Sequence, residues 1–361
     1  MLGPILLLAA ADFAALDAAI EKAVQRGQPP GAVVLVLHRD RVVHRKAFGL
    51  RSKLPAEVPM TLDTVFDVAS LTKPVATAAS VLLLIERGKL KLADPAAKHW
   101  PAFGQQGKER ITVEQFLLHT AGLIADNPLA DYTEGRAKAL ENICRLKPLA
   151  EPGKRFVYSD VNHIVLGEIV ERVSGTSLDR FARDNLFAPL GMKDTGFLPG
   201  AELRKRAAPT EKRDGAWLVG EVHDPRCHRL GGVAGHAGLF STADDLAVFV
   251  RMLLKGGTHD GKRILAAETV RLFTEAVSVP GGKRARGWDV DTAFSSPRGS
   301  VFPRGVSFGH TGFTGTSIWV DPKSQTAALL LTSRLHPDGK GDVRQLRRDV
   351  ATLAAEPLLP R

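Results

Sequence analysis

The 361 residues are 44% apolar and 24% charged, an ordinary globular composition with interior enough to bury a polar catalytic cluster in one large domain or two modest ones. Two cysteines, Cys144 and Cys227, are too few for a disulfide framework and lack zinc-type spacing, and no run approaches the length of a membrane span. The formal net charge of +10 sits in short clusters such as Arg204-Lys205-Arg206 and Arg344 to Arg348; with 6% aromatic residues and no binding motif it reads as solvated surface with a mild pull on anions, and excludes a nucleic-acid partner.

Ile5 to Ala11 is a short apolar stretch ending in three alanines. It resembles the end of a secretory signal, although it is short and no basic residue precedes it. On that reading residues 1–11 are a signal remnant and the protein is periplasmic or secreted; the alternative is a cytoplasmic chain whose first helix begins there. Phe13, Leu16, Ile20 and Val24 recur at helical spacing over Asp12 to Arg26, and Gly27 with Pro29-Pro30 stops that helix. Ala32 to His38 and Arg41 to Leu50 are β-branched runs about Arg39-Asp40, a hairpin pattern. Helices are predicted over Leu71 to Arg87, Thr112 to Leu118 with a capping box from Thr112 to Gln115, Asn162 to Ser174, Ser177 to Leu186 and Ala243 to Lys255. Val306 to His310, Thr316 to Asp321 and Thr326 to Ser333 are short strands, and Arg344 to Ala355 is a last helix.

Strands at both ends and helices between them predict an α+β fold. Its mixed, mainly antiparallel sheet is flanked by the terminal helices and carries an inserted helical domain. The sheet domain takes residues 12–70 and 235–361, the helical domain 71–234, and the cleft between them is the natural catalytic location.

Ser70-Leu71-Thr72-Lys73-Pro74 places a hydroxyl and an amine on one face at a helix start, where Pro74 is tolerated. A neutral Lys73 amine there can take the Ser70 proton, and neighbouring positive charge and the helix N-terminus would lower its pKa for that task. Alone, the spacing is as common on solvated helix faces. Tyr158-Ser159-Asp160 adds a phenol able to act as general base or proton relay and a carboxylate able to hold Lys73; the same residues also read as a helix start with Ser159 or Asp160 as N-cap. Gly309-His310-Thr311-Gly312-Phe313-Thr314-Gly315 lets backbone approach a substrate closely, and the N–H of Phe313 paired with that of Ser70 would form an oxyanion hole; the competing reading is a turn between two strands. Arg334, one strand beyond His310, is placed either to meet a substrate carboxylate or simply on the surface.

The ordered trio, about 88 residues from Ser70 to Tyr158 and about 152 on to His310, resembles the β-lactamase and penicillin-binding-protein superfamily. It looks most like the class C β-lactamase-related branch, with its D-amino-acid peptidases, esterases and muropeptide amidases. Leu117-Leu118-His119-Thr120-Ala121-Gly122-Leu123 and Gly238-Leu239-Phe240-Ser241-Thr242 support the match. The resemblance implies catalytic Ser70, Lys73 and Tyr158, a substrate-binding set of Asp160, His310, Thr311, Gly312, Phe313 and Arg334, a small-molecule or peptide substrate, and neither metal nor cofactor. It implies a serine hydrolase that cleaves amide bonds of peptidoglycan-derived or D-amino-acid peptides through an acyl-enzyme. The alternatives are a carboxylesterase for small acyl esters and a catalytically weak penicillin- or muropeptide-binding protein. Two positions depart from the pattern: Asp160 stands where the family usually has Asn, and His310 where it usually has Lys. Both changes argue against efficient β-lactam hydrolysis. His223-Asp224-Pro225 through Gly235-His236 resembles the muropeptide amidase subgroup; His223, His228 and His236 lack a recurrent metal-ligand spacing and read as a hydrogen-bonded loop lining the cleft. His119 reads as a residue that caps or packs a turn.

Overall fold

The computed structural model describes residues 11–359, so all but the last residue of the signal-like stretch lies outside it. The helices that frame the site are α1 (Ala14–Gln25), α2 (Ala79–Glu86), α3 (Asp160–Ser174), α4 (Ala243–Leu254) and α5 (Arg344–Ala355). The main sheet is built from β1 (Gly31–His38), β2 (Arg41–Ser52) and β3 (Val58–Pro59), then β4 (Val277–Val279), β5 (Gly282–Ala285), β6 (Trp288–Asp291), β7 (Phe308–Thr311), β8 (Ser317–Asp321) and β9 (Thr326–Thr332). Their order across the sheet is β4-β5-β6-β7-β8-β9-β1-β2-β3, antiparallel throughout.

Both chain ends meet in its middle, where Ala32 of β1 stands opposite Thr332 of β9 and His38 opposite Thr326. The Arg39-Asp40 hairpin forms as expected: both residues adopt left-handed φ, +46° and +67°, the turn geometry whose twist matches the flanking strands. β1 is buried along its whole length because both sheet faces are covered. Val33, Leu35 and Leu37 point into the large core shared with the middle of the chain, whereas Ala32, Val34 and Val36 point into a smaller core with Leu16 and Ile20 of α1 and Val350 and Ala354 of α5. Strands β4 to β6 were not legible: they are short, and Lys283, Arg284 and Asp289 break any apolar alternation.

The predicted helix after Ser70 is irregular. It opens as a 3-10 turn over Ala69–Leu71, widens to π hydrogen bonding over Lys73–Ala78, and becomes α-helical only at Ala79. Pro74 brings no N–H to this stretch, and such widened turns recur at functional sites. Contrary to the sequence reading, the span Ala69–Glu86 is long and apolar enough to cross a membrane, but 83% of it is buried in the fold. It is the central core helix.

Candidate active site

A small three-stranded sheet aims the nucleophile. Phe66–Asp67 pairs with Leu239–Ser241, which pairs in turn with Gly196–Phe197. The chain then turns sharply, with Ala69 at φ +46°, a region that disfavours any side chain bearing a Cβ. Asp67 pins the turn: Oδ1 accepts the Ala69 N–H at 2.8 Å and Oδ2 accepts the His223 N–H at 2.8 Å. The third motif is stapled to the same segment. Thr314 Oγ1 donates to the Asp67 carbonyl at 2.6 Å and Thr316 Oγ1 to that of Val68 at 3.2 Å. A Cβ on Gly312 would lie 2.4 Å from the Val68 carbonyl oxygen, so only glycine lets these backbones touch. Arg347 of α5, buried beneath, donates to the carbonyls of Gly312 and Thr316.

Lys73 is fully buried, with two hydrogen-bond acceptors and one carboxylate around its ammonium group. Nζ donates to Ser70 Oγ at 2.9 Å and to the His236 carbonyl at 3.1 Å, and lies 2.6 Å from Asp160 Oδ1. Burial favours a neutral amine, but the Asp160 charge and the Tyr158 phenol outweigh it, so the Lys73 pKa is raised, not lowered. The direction of the shift is opposite to the sequence expectation, and favours the ammonium form that donates to Ser70. Asp160 holds Lys73, as its charge suggested in the sequence.

Tyr158 closes the other side, with its ring 5.0 Å from Lys73 Nζ and 5.8 Å from the His310 ring. Both sequence readings of its motif hold together. Ser159 caps α3, accepting the Asn162 N–H at 3.2 Å, while Tyr158 just before it faces the cleft. His119 does hold a turn: its Nδ1 accepts the Ser159 N–H at 3.0 Å, and its ring stacks 4.7 Å from that of Tyr158. Burial, then His163 and Arg284, keep His119 neutral.

Ser70, Tyr158, His310, Phe313 and Arg334 line one cleft of about 480 Å³, together with Thr311 and Gly312. His310 Nδ1 lies 2.9 Å from the Thr311 carbonyl, which can only accept, so the proton is on Nδ1 and Nε2 is an acceptor. Burial, Arg284 and Lys73 push its pKa well below the ordinary value. It therefore neither donates into the cleft nor carries charge there, unlike a lysine. Arg334 Nε and Nη1 donate to the Phe313 and Gly341 carbonyls, both at 2.6 Å, and its guanidinium lies 4.5 Å from the Phe313 ring centroid. It anchors the Phe313 turn as well as facing the cleft. Sequence reasoning missed Arg284, on a short polar strand, and Arg347, whose acceptors Gly312 and Thr316 lie on a distant segment. Arg284 is a buried cleft residue 3.4 Å from Asp289 Oδ1, with Nε and Nη2 unpartnered.

The chain matches the family described as "Beta-lactamase" over residues 16–352. It is 33% identical over 357 residues to the "Putative D-alanyl-D-alanine carboxypeptidase" of Escherichia coli strain K12, covering 89% of this chain and 82% of that one. Among solved structures, a penicillin-binding protein homologue from Caulobacter crescentus superposes with TM-score 0.74 at 23% identity, over 95% of this chain and 97% of that one. A family VIII carboxylesterase does so with TM-score 0.75 at 23% identity, over 96% and 97%. The chain belongs to the β-lactamase family and is a serine hydrolase with that family's α+β fold.

Proposed function

We propose that Ser70 is the nucleophile, Tyr158 the general base and Lys73 a permanent cation between them. The single observation that carries this is the ion-paired Lys73, which donates to Ser70 Oγ at 2.9 Å and lies 2.6 Å from Asp160. With its lone pair facing Lys73, the Ser70 hydroxyl directs its proton elsewhere. Tyr158 in its deprotonated form, with the Lys73 ammonium beside it, takes that proton as Oγ attacks the substrate carbonyl and becomes the neutral phenol. The N–H groups of Ser70 and Phe313 receive the oxyanion. As the C–N bond breaks, Tyr158 returns the proton to the leaving amine, and water reverses these steps to release the acid.

The substrate we infer is a peptide ending in D-amino acids, as in peptidoglycan stems. The carboxypeptidase name of the 33% identical relative supports this, as do Arg334, Arg344 and Lys340 on the cleft wall, which suit a terminal carboxylate. A periplasmic or secreted location fits such a substrate. The test is amino-acid release from a tripeptide ending in D-Ala-D-Ala and from its L-Ala counterpart, with wild type and Ser70→Ala. Release from the D-peptide alone, abolished in the variant, is expected; absence of release by folded wild type overturns the reading. Phe294 and Phe313, 56% and 60% exposed at the cleft, favour a second reading as an esterase for apolar acyl groups. Turnover of p-nitrophenyl butyrate but of neither peptide would select it.

A further inference from the structure

The segment from His223 to Gly238 has no role in the steps above, yet it touches the nucleophile's supports on both sides. Ahead of Ser70, the His223 N–H holds Asp67, the residue that pins the Ala69 turn. Behind it, the His236 carbonyl accepts from Lys73 at 3.1 Å, and the neighbouring Gly235 carbonyl accepts from Thr77 Oγ1 at 2.7 Å. The His236 ring is completely buried, and its Nε2 lies 2.9 Å from Asp224 Oδ1. That oxygen also accepts the Cys227 N–H at 2.7 Å, capping the short helix Pro225–Arg229. Cys227 Sγ completes the loop by donating to the Ala237 carbonyl at 3.2 Å.

Asp160, Asp224 and His236 bring ligand-type atoms within 4.8 Å of one another. A cation site is nevertheless the wrong reading, because the Lys73 ammonium already sits on Asp160 at 2.6 Å and would repel a metal ion. The cluster is built around the lysine.

We infer that Asp224 and His236 are positioning residues for Lys73: the Asp224 carboxylate fixes the His236 ring, and the ring fixes the backbone carbonyl that aims the ammonium at Ser70. The carboxylate accepts, so His236 Nε2 carries the proton of that bond. Although burial works against ionisation, His236, the Cys227 N–H and Lys73 hold Asp224 below the usual carboxylate range. The tether is therefore in place across neutral pH. Without it, the carbonyl is held only through its neighbours, and the ammonium is free to relax toward Asp160. Misplacement of a catalytic group by about 1 Å is enough to cost on the order of 100-fold in rate.

The inference rests on acylation of Ser70 and is tested on that step alone. Phosphonylation of Ser70 by a fluorophosphonate probe, with loss of fluoride, calls on the same activated hydroxyl; it is followed at increasing probe concentration, which separates the binding constant from the limiting rate. His236→Leu removes the donor; His236→Gln restores an N–H at the position of Nε2; His228→Leu is the control, since His228 lies in the same segment and pairs with Glu221 at 3.2 Å away from Ser70. We expect His236→Leu to lower the limiting rate by about 10- to 100-fold with the binding constant unchanged. His236→Gln should recover most of that loss, and His228→Leu should match wild type. Asp224→Asn keeps the helix cap but loses the charge, and should fall between the two His236 variants. A folded His236→Leu protein with the wild-type rate overturns the inference. So does equal loss in His236→Leu and His236→Gln with matching drops in melting temperature, which marks a merely structural role. Failure of wild type to label at all would instead strike the proposed function.

Discussion

Two lysines in this molecule are completely buried, Lys73 and Lys108, and they are used in opposite ways. Lys108 meets no carboxylate: Nζ donates to the carbonyls of Gln105, Cys144 and Leu146 at 2.9, 2.8 and 2.6 Å, tying a loop to the end of a helix. Desolvation governs it, and its pKa is lowered. Lys73 is buried more deeply still, but Asp160 at 2.6 Å reverses the outcome. Burial alone thus says nothing about whether a lysine serves as base or cation; the partner decides. Neutral carbonyls make an ammonium into a strut, whereas a carboxylate makes it into a fixed charge that can orient a hydroxyl.

The sharpest way to break this comparison is to remove each lysine in turn. Lys73→Ala should lower the rate of fluorophosphonate labelling by about 100-fold or more, the scale of acid–base groups, in a protein that still folds. Lys108→Met should leave that rate unchanged and lower stability in urea by about 1–3 kcal/mol, the cost of buried carbonyls left unsatisfied. Normal labelling in the first variant, or lost labelling in a folded second one, would erase the distinction.

Alkaline pH gives the two lysines opposite signatures. The folded pKa of Lys73 is raised, so its contribution to stability is fully present below the ordinary lysine value and is lost only as pH climbs through the higher folded value. For Lys108 the folded pKa is lowered, so the penalty for burying its charge is relieved between that value and the ordinary one. Between pH 8 and 10 the stability margin of wild type over Lys108→Met should grow, while its margin over Lys73→Met stays flat. Urea titrations at both pH values decide this, and parallel trends would count against the assigned partners.

His310 offers a third, smaller test. Its depressed pKa leaves it neutral at pH 8 and at pH 5.5 alike, so His310→Lys should change KM for a carboxylate-bearing substrate equally at both pH values. A benefit confined to pH 8 would mean that His310 charges at pH 5.5 and that its buried surroundings are misjudged. Arg334→Ala should weaken anionic substrates and also slow neutral esters, because its Nε holds the Phe313 carbonyl; an unchanged rate on neutral esters would limit it to charge recognition. The smallest effect expected is at Ala69. Ala69→Gly relieves the left-handed strain at φ +46° and should raise stability by up to about 1 kcal/mol without altering acylation, read from melting temperature and labelling together.

What could be read from the sequence was local. The Arg39-Asp40 hairpin, the Thr112 capping box and the Ser159 cap depend on residues within a few positions, and all three form. The Ser70-to-Lys73 contact spans one turn and was equally legible. The charge on Lys73 was not, because it depends on a carboxylate 87 positions away, brought in by the start of α3. The role of His236 lies in a backbone carbonyl, which leaves no mark in residue identity. Arg284 escaped notice because its strand is short and polar, and Arg347 because it is one of three arginines at the start of its helix, and the sequence does not say which turns inward.

The meeting of β1 and β9 has a consequence for how the molecule comes into being. As the chain emerges in sequence order, β1 can pair early with β2, but its other edge, facing β9, stays bare until nearly the whole chain has been made. An apolar strand with an open edge invites foreign pairing, and contacts this distant in sequence close slowly. Gly312 and Thr314, which complete the floor beside Ser70, arrive on the same late segment. The same late segment thus closes the sheet and completes the floor beside Ser70, so a chain cut before β7 should lack both and fail to label with a fluorophosphonate.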